Sequence, residues 1–315
     1  MKKSLFTIIL ASLLTLTACS PAADKKESSD VTPNEATTEA TTEATTEEVT
    51  EAPTEKSTET EIKDISDTQK FFNVYVDGQK IKGAIFLPEG EGPFPTVVMI
   101  QGLGISYPMF TDTAKEIAKK GVATVNFDCR GYVPEKFYSE GEFFDMTPSS
   151  CVKDIISVTN VISEYPAIDK ENIFIWGHSY GGILATMAAV EQPDVFKGFI
   201  GLNPAFQMPD EFRNLYNDNT ETFILEGREI GEPLARELMA MDIFETMKSY
   251  ENNVLILTGT KDAIFIDYPE AYDKAMVSFP NVKKIVEEGA DHYYSPYCGD
   301  ELVQYTVDFV KGNID

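Results

Sequence analysis

The sequence predicts an α/β domain: a mostly parallel, doubly wound sheet with an antiparallel hairpin at its N-terminal edge and a small lid insertion. Three observations predict it. Short β-branched, apolar runs alternate with segments of helical spacing, the pattern of parallel strands buried on both faces and joined by crossover helices. Two alternating runs, Phe71 to Val76 and Gln79 to Leu87, flank Asp77-Gly78, which is a strong hairpin signal. The buried run Ile173 to Trp176 stops at Gly177-His178-Ser179-Tyr180-Gly181 and resumes as the helical stretch Ile183 to Val190, so a strand gives way to a helix through a very sharp turn.

The chain opens with Lys2-Lys3 and the apolar run Leu5 to Leu16, the charged and hydrophobic regions of a secretory signal, too short to span a bilayer. Its end, Leu16-Thr17-Ala18-Cys19, resembles the lipobox of bacterial lipoproteins. That resemblance implies a signal peptide over 1–18, a lipidated Cys19, and export to the outer face of the bacterial cell membrane, with the lipid anchor as the only membrane contact. Residues 19–66 are rich in Thr and Glu, with Glu35-Ala-Thr-Thr recurring from Glu39 and Glu43. Almost nothing in them could offset the entropy of ordering, so they are expected to form a disordered tether with a reach of roughly 35–40 Å. The folded domain is expected over 67–315.

The formal net charge is −26, and −19 of it falls on residues 71–315. An acidic folded domain argues against nucleic acid and strongly anionic partners. Beyond Cys19 there are Cys129, Cys151 and Cys298; two of them could pair, or all three could be buried thiols. The two histidines, His178 and His292, stand in no metal-ligand spacing, and neither a metal nor a cofactor is expected.

Past the hairpin, Thr96 to Ile100 predicts a buried strand ending at Gln101-Gly102-Leu103-Gly104. A helix is expected over 107–120, a strand from Val122 to Phe127, and a helix opening at Thr147-Pro148, where proline suits the first turn. After the serine turn come a strand from Gly198 to Leu202, a strand from Asn253 to Thr258, a helix over 267–279, a strand from Lys283 to Glu287 and a last helix over 297–311. Residues 205–252 break the alternation at a strand's C-terminal end, where doubly wound sheets bind ligands. They are expected to form a lid, with helical spacing from Pro233 to Met247; a peripheral excursion is the alternative.

A serine hydroxyl needs a base, and the base needs an orienting acid. Ser179 is the candidate nucleophile. His178 adjoins it and should point the other way as a packed, hydrogen-bonded residue, which leaves His292, after the final strand, as the base. Asp262, in the loop after the preceding strand, is the expected acid. Asp291 would have to fold back on its own backbone, and Asp267 is expected to cap a helix. The N–H groups of Tyr180, at a helix start, and Leu103, in the glycine loop, are expected to bind an oxyanion. Tyr107, Phe206, Phe212 and Tyr216 are candidates for an apolar acyl pocket, with core packing as the alternative.

G-x-S-x-G at 177–181 and the order Ser179, Asp262, His292 resemble the α/β-hydrolase superfamily. Within it the chain is similar to the small-lidded feruloyl/cinnamoyl esterase group, through Phe127-Asp-Cys-Arg-Gly131, Gly141-Glu-Phe-Phe-Asp-Met-Thr147, Gly177-His-Ser-Tyr-Gly-Gly182, Leu202-Asn-Pro-Ala205, Gly259-Thr-Lys-Asp262 and Gly289-Ala-Asp-His292. Gln101 stands where that group carries a histidine. The resemblance implies hydrolysis of a small-molecule or glycan-linked acyl ester through an acyl-enzyme. Two rival functions stay open: a prolyl-oligopeptidase-like serine peptidase, and a non-catalytic ligand-binding lipoprotein.

Overall fold

A computed structural model of the protein describes residues 60–134, 138–225, 227–264, 267–295 and 298–314. The expected signal peptide, Cys19 and the tether as far as residue 59 lie outside them.

Strands β1 (Glu61–Asp64), β2 (Gln69–Val76) and β3 (Gln79–Phe86) form an antiparallel meander. The β2–β3 turn has positive φ at both Asp77 (51°) and Gly78 (73°), the twist that a two-residue hairpin requires. β1 corrects the expected tether boundary at residue 66, because Glu61–Asp64 pairs with Lys70–Asn73. Its sequence, Glu-Ile-Lys-Asp, is mostly exposed and carries no apolar period; main-chain pairing, not burial, makes it a strand.

The alternating part follows as expected: β4 (Phe94–Ile100), α1 (Thr111–Lys119), β5 (Ala123–Phe127), α2 (Pro148–Ser163), β6 (Ile168–His178), α3 (Tyr180–Glu191) and β7 (Phe196–Leu202). Thr147 and Ser150 cap α2 reciprocally, each side chain meeting the other's backbone N–H at 3.0 Å. The insertion contains α4 (Met208–Leu215), the hairpin β8 (Phe223–Leu225) and β9 (Arg228–Ile230), then α5 (Glu232–Ala240) and α6 (Ile243–Met247). The helical spacing expected from Pro233 to Met247 is divided between two helices. Asp242 breaks it by accepting the Glu245 N–H as the cap of α6. Closing the chain are β10 (Asn253–Gly259), α7 (Pro269–Ser278), β11 (Val282–Glu287) and α8 (Gly299–Lys311).

The nine-stranded sheet runs β1-β2-β3-β5-β4-β6-β7-β10-β11, and every pair from β5 to β11 is parallel. α1 and α8 cover one face through Ile117, Leu302, Val307 and their neighbours; α2, α3, α7 and the insertion cover the other. Because the central strands are parallel, β6, β7, β10 and β11 deliver their C-terminal ends to one edge of the sheet, where the fold places its loops.

Candidate active site

The turn at Ser179 is a single residue. β6 ends at His178 and α3 begins at Tyr180, so Ser179 alone reverses the chain, with φ 55° and ψ −125°. A serine in that region is strained by about 1–3 kcal/mol, a cost that persists only where the surroundings over-determine it. They do. The Ser179 N–H donates to the Leu202 carbonyl at 3.0 Å, and its own carbonyl accepts the N–H groups of Gly182 and Ala205 at 2.9 Å each. Gly181 is required by close approach: a Cβ there would lie 2.4 Å from the carbonyl oxygens of both Ile100 and Gln101.

Asp262 and His292 meet in the loops that follow β10 and β11. Their Nδ1···Oδ2 distance is 2.9 Å and both are buried. Asp262 Oδ1 accepts the Ile264 N–H at 2.9 Å, which fixes the carboxylate plane. The carboxylate engages Nδ1, so any base chemistry of this ring falls to Nε2. Asp291 is occupied locally, its Oδ1 accepting the N–H groups of Tyr293 and Ser295. The expected capping role of Asp267 is not observed: α7 begins at Pro269 with Tyr268 at its N-cap, because proline at the first turn already dispenses with one donor.

Two side chains then fix the His292 main chain. His178 Nε2 donates to the His292 carbonyl at 3.0 Å. Burial pushes the His178 pKa well below its ordinary 6.5, so the ring stays neutral in the packed position expected for it. Asn203 donates Nδ2 to the carbonyls of His292 (3.0 Å) and Asp291 (3.1 Å), while its Oδ1 accepts the Gly259 N–H (3.0 Å). Asn203 sits at φ 41°, a conformation that asparagine tolerates better than most residues. It thereby ties the end of β7 to the end of β10 and to the histidine loop.

The glycine loop after β4 lies directly against the serine. A Cβ on Gly102 would stand 3.1 Å from Ser179 Cβ and 3.2 Å from His178 Nδ1. Tyr180, first in α3, has an N–H with no intrahelical acceptor. Buried Gln101 donates Nε2 to the Met99 carbonyl at 3.3 Å, and its main-chain carbonyl accepts the Tyr132 hydroxyl at 2.6 Å. Tyr132 in turn stacks on Tyr180 at 6.2 Å between centroids. Beyond the loop, Asp128 accepts the Tyr107 N–H at 2.6 Å and the Ser106 hydroxyl at 2.7 Å. Burial pushes the Asp128 pKa up to about 7, against the lowering effect of those two bonds. Asn203, Tyr132 and Asp128 had no role assigned from sequence. Asp128 and Asn203 carried a signal in their position, immediately after the ends of β5 and β7 on the loop-bearing edge; Tyr132, five residues past β5, carried none.

The four pocket candidates are packing residues. Phe206 and Phe212 are 0% and 2% exposed, with Phe206 tilted against Phe279 and Phe212 against Tyr216. Tyr107 is 4% exposed, with its ring edge-on to Tyr138 at 5.0 Å. Tyr216 spends its hydroxyl on the backbone of Ile224. The expectation that they line an acyl pocket is corrected accordingly: Phe206, Phe212 and Tyr216 spend their apolar area seating the insertion, and Tyr107 spends its own in the core on the other face of the sheet. Cys129, Cys151 and Cys298 are buried free thiols, and among the described residues no group of three or more His, Cys, Asp or Glu side chains could hold a metal.

The chain is similar to a 31.7 kDa protein of the traX-finO intergenic region of Escherichia coli, 33% identical over 110 residues covering 35% of this chain and 37% of that one. It is also similar to esterase EstD of Thermotoga maritima, 24% identical over 201 residues covering 58% and 46%. The match thus spans less than half the length of either relative. Among solved structures, Est1E from Butyrivibrio proteoclasticus with ferulic acid bound superposes with a TM-score of 0.67 at 22% identity, covering 76% of this chain and 98% of that one. This likeness supports a common fold, the α/β-hydrolase fold. The sequence model of the prolyl oligopeptidase family matches residues 108–313, well over half of the 315-residue chain, and on that match the chain belongs to the prolyl oligopeptidase family.

Proposed function

We propose that the chain is a serine hydrolase that cleaves carboxylic esters through an acyl-enzyme. One observation carries the reading: Ser179 is held at φ 55° between β6 and α3, at the strand edge that also presents the His292–Asp262 pair, 2.9 Å apart. Ser179 Oγ attacks the ester carbonyl while His292 Nε2 takes its proton, and Asp262 stabilises the resulting imidazolium. The N–H groups of Leu103 and Tyr180 bind the oxyanion. Collapse of the tetrahedral intermediate expels the alcohol, which leaves with the proton from His292. Water, deprotonated by the same nitrogen, then releases the acid and regenerates the serine.

Feruloyl or cinnamoyl esters are the proposed acyl class. The motif resemblance supports this, as does likeness to a fold whose solved form holds ferulic acid. A peptidase is the second reading, favoured by the family name. Side-by-side turnover of aryl esters and aminoacyl-β-naphthylamides separates the two, and a preference for the amides would overturn the first. We place the enzyme on the outer face of a bacterial membrane through lipidated Cys19, on the strength of Leu16-Thr17-Ala18-Cys19 alone. Metabolic labelling with a fatty-acid analogue, lost in Cys19→Ala, tests that. For the chemistry the decisive variant is Ser179→Ala: hydrolysis of 4-nitrophenyl acetate should fall by about 10⁴-fold or more, and full retention would exclude the assignment.

A further inference from the structure

The hairpin of the insertion carries a cation toward the candidate active site. β8 and β9 pair Phe223 with Ile230 and Leu225 with Arg228, so these four side chains share one face; Ile224 and Glu229 take the other. Phe223 and Ile230 are buried, so the shared face is the one turned toward the body of the protein. Arg228 is therefore an inward-facing guanidinium near the hairpin turn. Its Nη1 lies 3.0 Å from where a Cβ on Gly104 would stand, directly over the loop that carries the Leu103 N–H.

Among the described residues that guanidinium has no counter-ion. The other three arginines are bound: Arg130 to Asp154 and Asp77, Arg213 to Asp210, Arg236 to Glu232. Among the described residues Arg228 has no ion pair or side-chain hydrogen bond, although acidic residues outnumber basic ones by 52 to 26. Its carrier is fixed. Tyr216 exchanges hydrogen bonds with both the N–H and the carbonyl of Ile224, Arg236 lies over the Phe223 ring at 4.9 Å, and the Gly231 backbone closes on the Phe144 carbonyl so tightly that a Cβ would come within 2.1 Å of it. A rigid, inward, exposed arginine beside an oxyanion loop is an arrangement suited to planar recognition of a carboxylate.

We infer that Arg228 is a specificity-determining residue that binds a carboxylate carried by the ester substrate a few bonds from the scissile carbonyl. The inference rests on the ester-hydrolase reading. One guanidinium in an acidic domain favours a monoanion, since a more highly charged molecule would meet net repulsion.

The test uses two pairs of esters. For the acyl half, 4-nitrophenyl hydrogen glutarate is compared with 4-nitrophenyl hexanoate; for the alcohol half, 4-acetoxybenzoate with 4-acetylphenyl acetate. The readout is the anionic-to-neutral ratio of kcat/KM. In Arg228→Gln this ratio should fall by about ten-fold in one pair, through KM, with Arg228→Lys intermediate. The affected pair identifies the half of the substrate that carries the carboxylate. An unmoved ratio in both pairs overturns the inference while leaving the esterase reading intact. If the wild type turns over none of the four esters, the esterase reading itself falls, and this inference with it.

Discussion

Asn203 holds the main chain of His292 from 89 residues away in sequence, its side-chain amide donating to the histidine carbonyl at 3.0 Å. The same amide spans the ends of β7 and β10, so imidazole placement depends on strand order as well as on the histidine's own loop.

Asn203→Gly keeps the positive φ accessible and removes all three side-chain hydrogen bonds. We expect kcat for an aryl ester to drop about 10–100-fold with KM little changed, since a displacement near 1 Å at a catalytic base costs that much. Steady-state kinetics at saturating ester checks this. An equal fall in kcat with the melting temperature lowered beyond assay conditions would instead point to global loosening.

Gly102→Ala places a methyl group 3.1 Å from Ser179 Cβ, in a loop held at Gln101 by Tyr132 and beyond by Asp128. The methyl intrudes where an ester carbonyl must approach. Activity should fall at least 100-fold while fluorescence-monitored unfolding in urea shifts little, because the loop, not the core, takes the strain.

Asp128 links pH to stability. Its folded pKa is about 7 and its ordinary value 3.8, so between those limits the folded state binds more protons than the unfolded. Stability from this site is therefore full below about pH 4 and is lost as pH rises toward 7. Asp128→Asn removes the titration. Its unfolding free energy relative to wild type should rise steadily from pH 4 to pH 7, and parallel curves for the two proteins would refute the assignment.

Asp154 is buried beneath Arg130, accepting the Arg130 N–H at 2.8 Å and the guanidinium Nε at 2.8 Å. Burial still pushes its pKa up to about 6. Asp154→Ala removes the buried one of the guanidinium's two carboxylates, leaving it half-exposed Asp77, and should cost about 1.5–3 kcal/mol, measured by denaturant titration at pH 8, where the wild-type carboxylate is charged.

The alternation of strands and helices was legible because parallel strands covered on both faces are continuously apolar, as in Thr96 to Ile100. The meeting of His292 with Asp262 was legible by elimination, since the other of the two histidines is tied to the strand before Ser179. Asn203, Tyr132 and Arg228 were not, because each acts across the sheet edge on a loop that becomes a neighbour only once β7 lies beside β10 and the insertion folds back. The pocket aromatics misled for a related reason: a Phe or Tyr that seats an insertion has the same composition signal as one that meets a ligand. β1 escaped notice because an edge strand can be held by main-chain bonds alone, without an apolar face.

Three buried free thiols, Cys129 and Cys151 lying against each other, have a consequence for how this fold is made. Nothing in the described domain must be oxidised for it to close, and nothing in it can be unstitched by reductant. Its sheet assembles with every thiol reduced, so production in a reducing cytosol should yield the native domain, with dithiothreitol leaving its unfolding midpoint where it was.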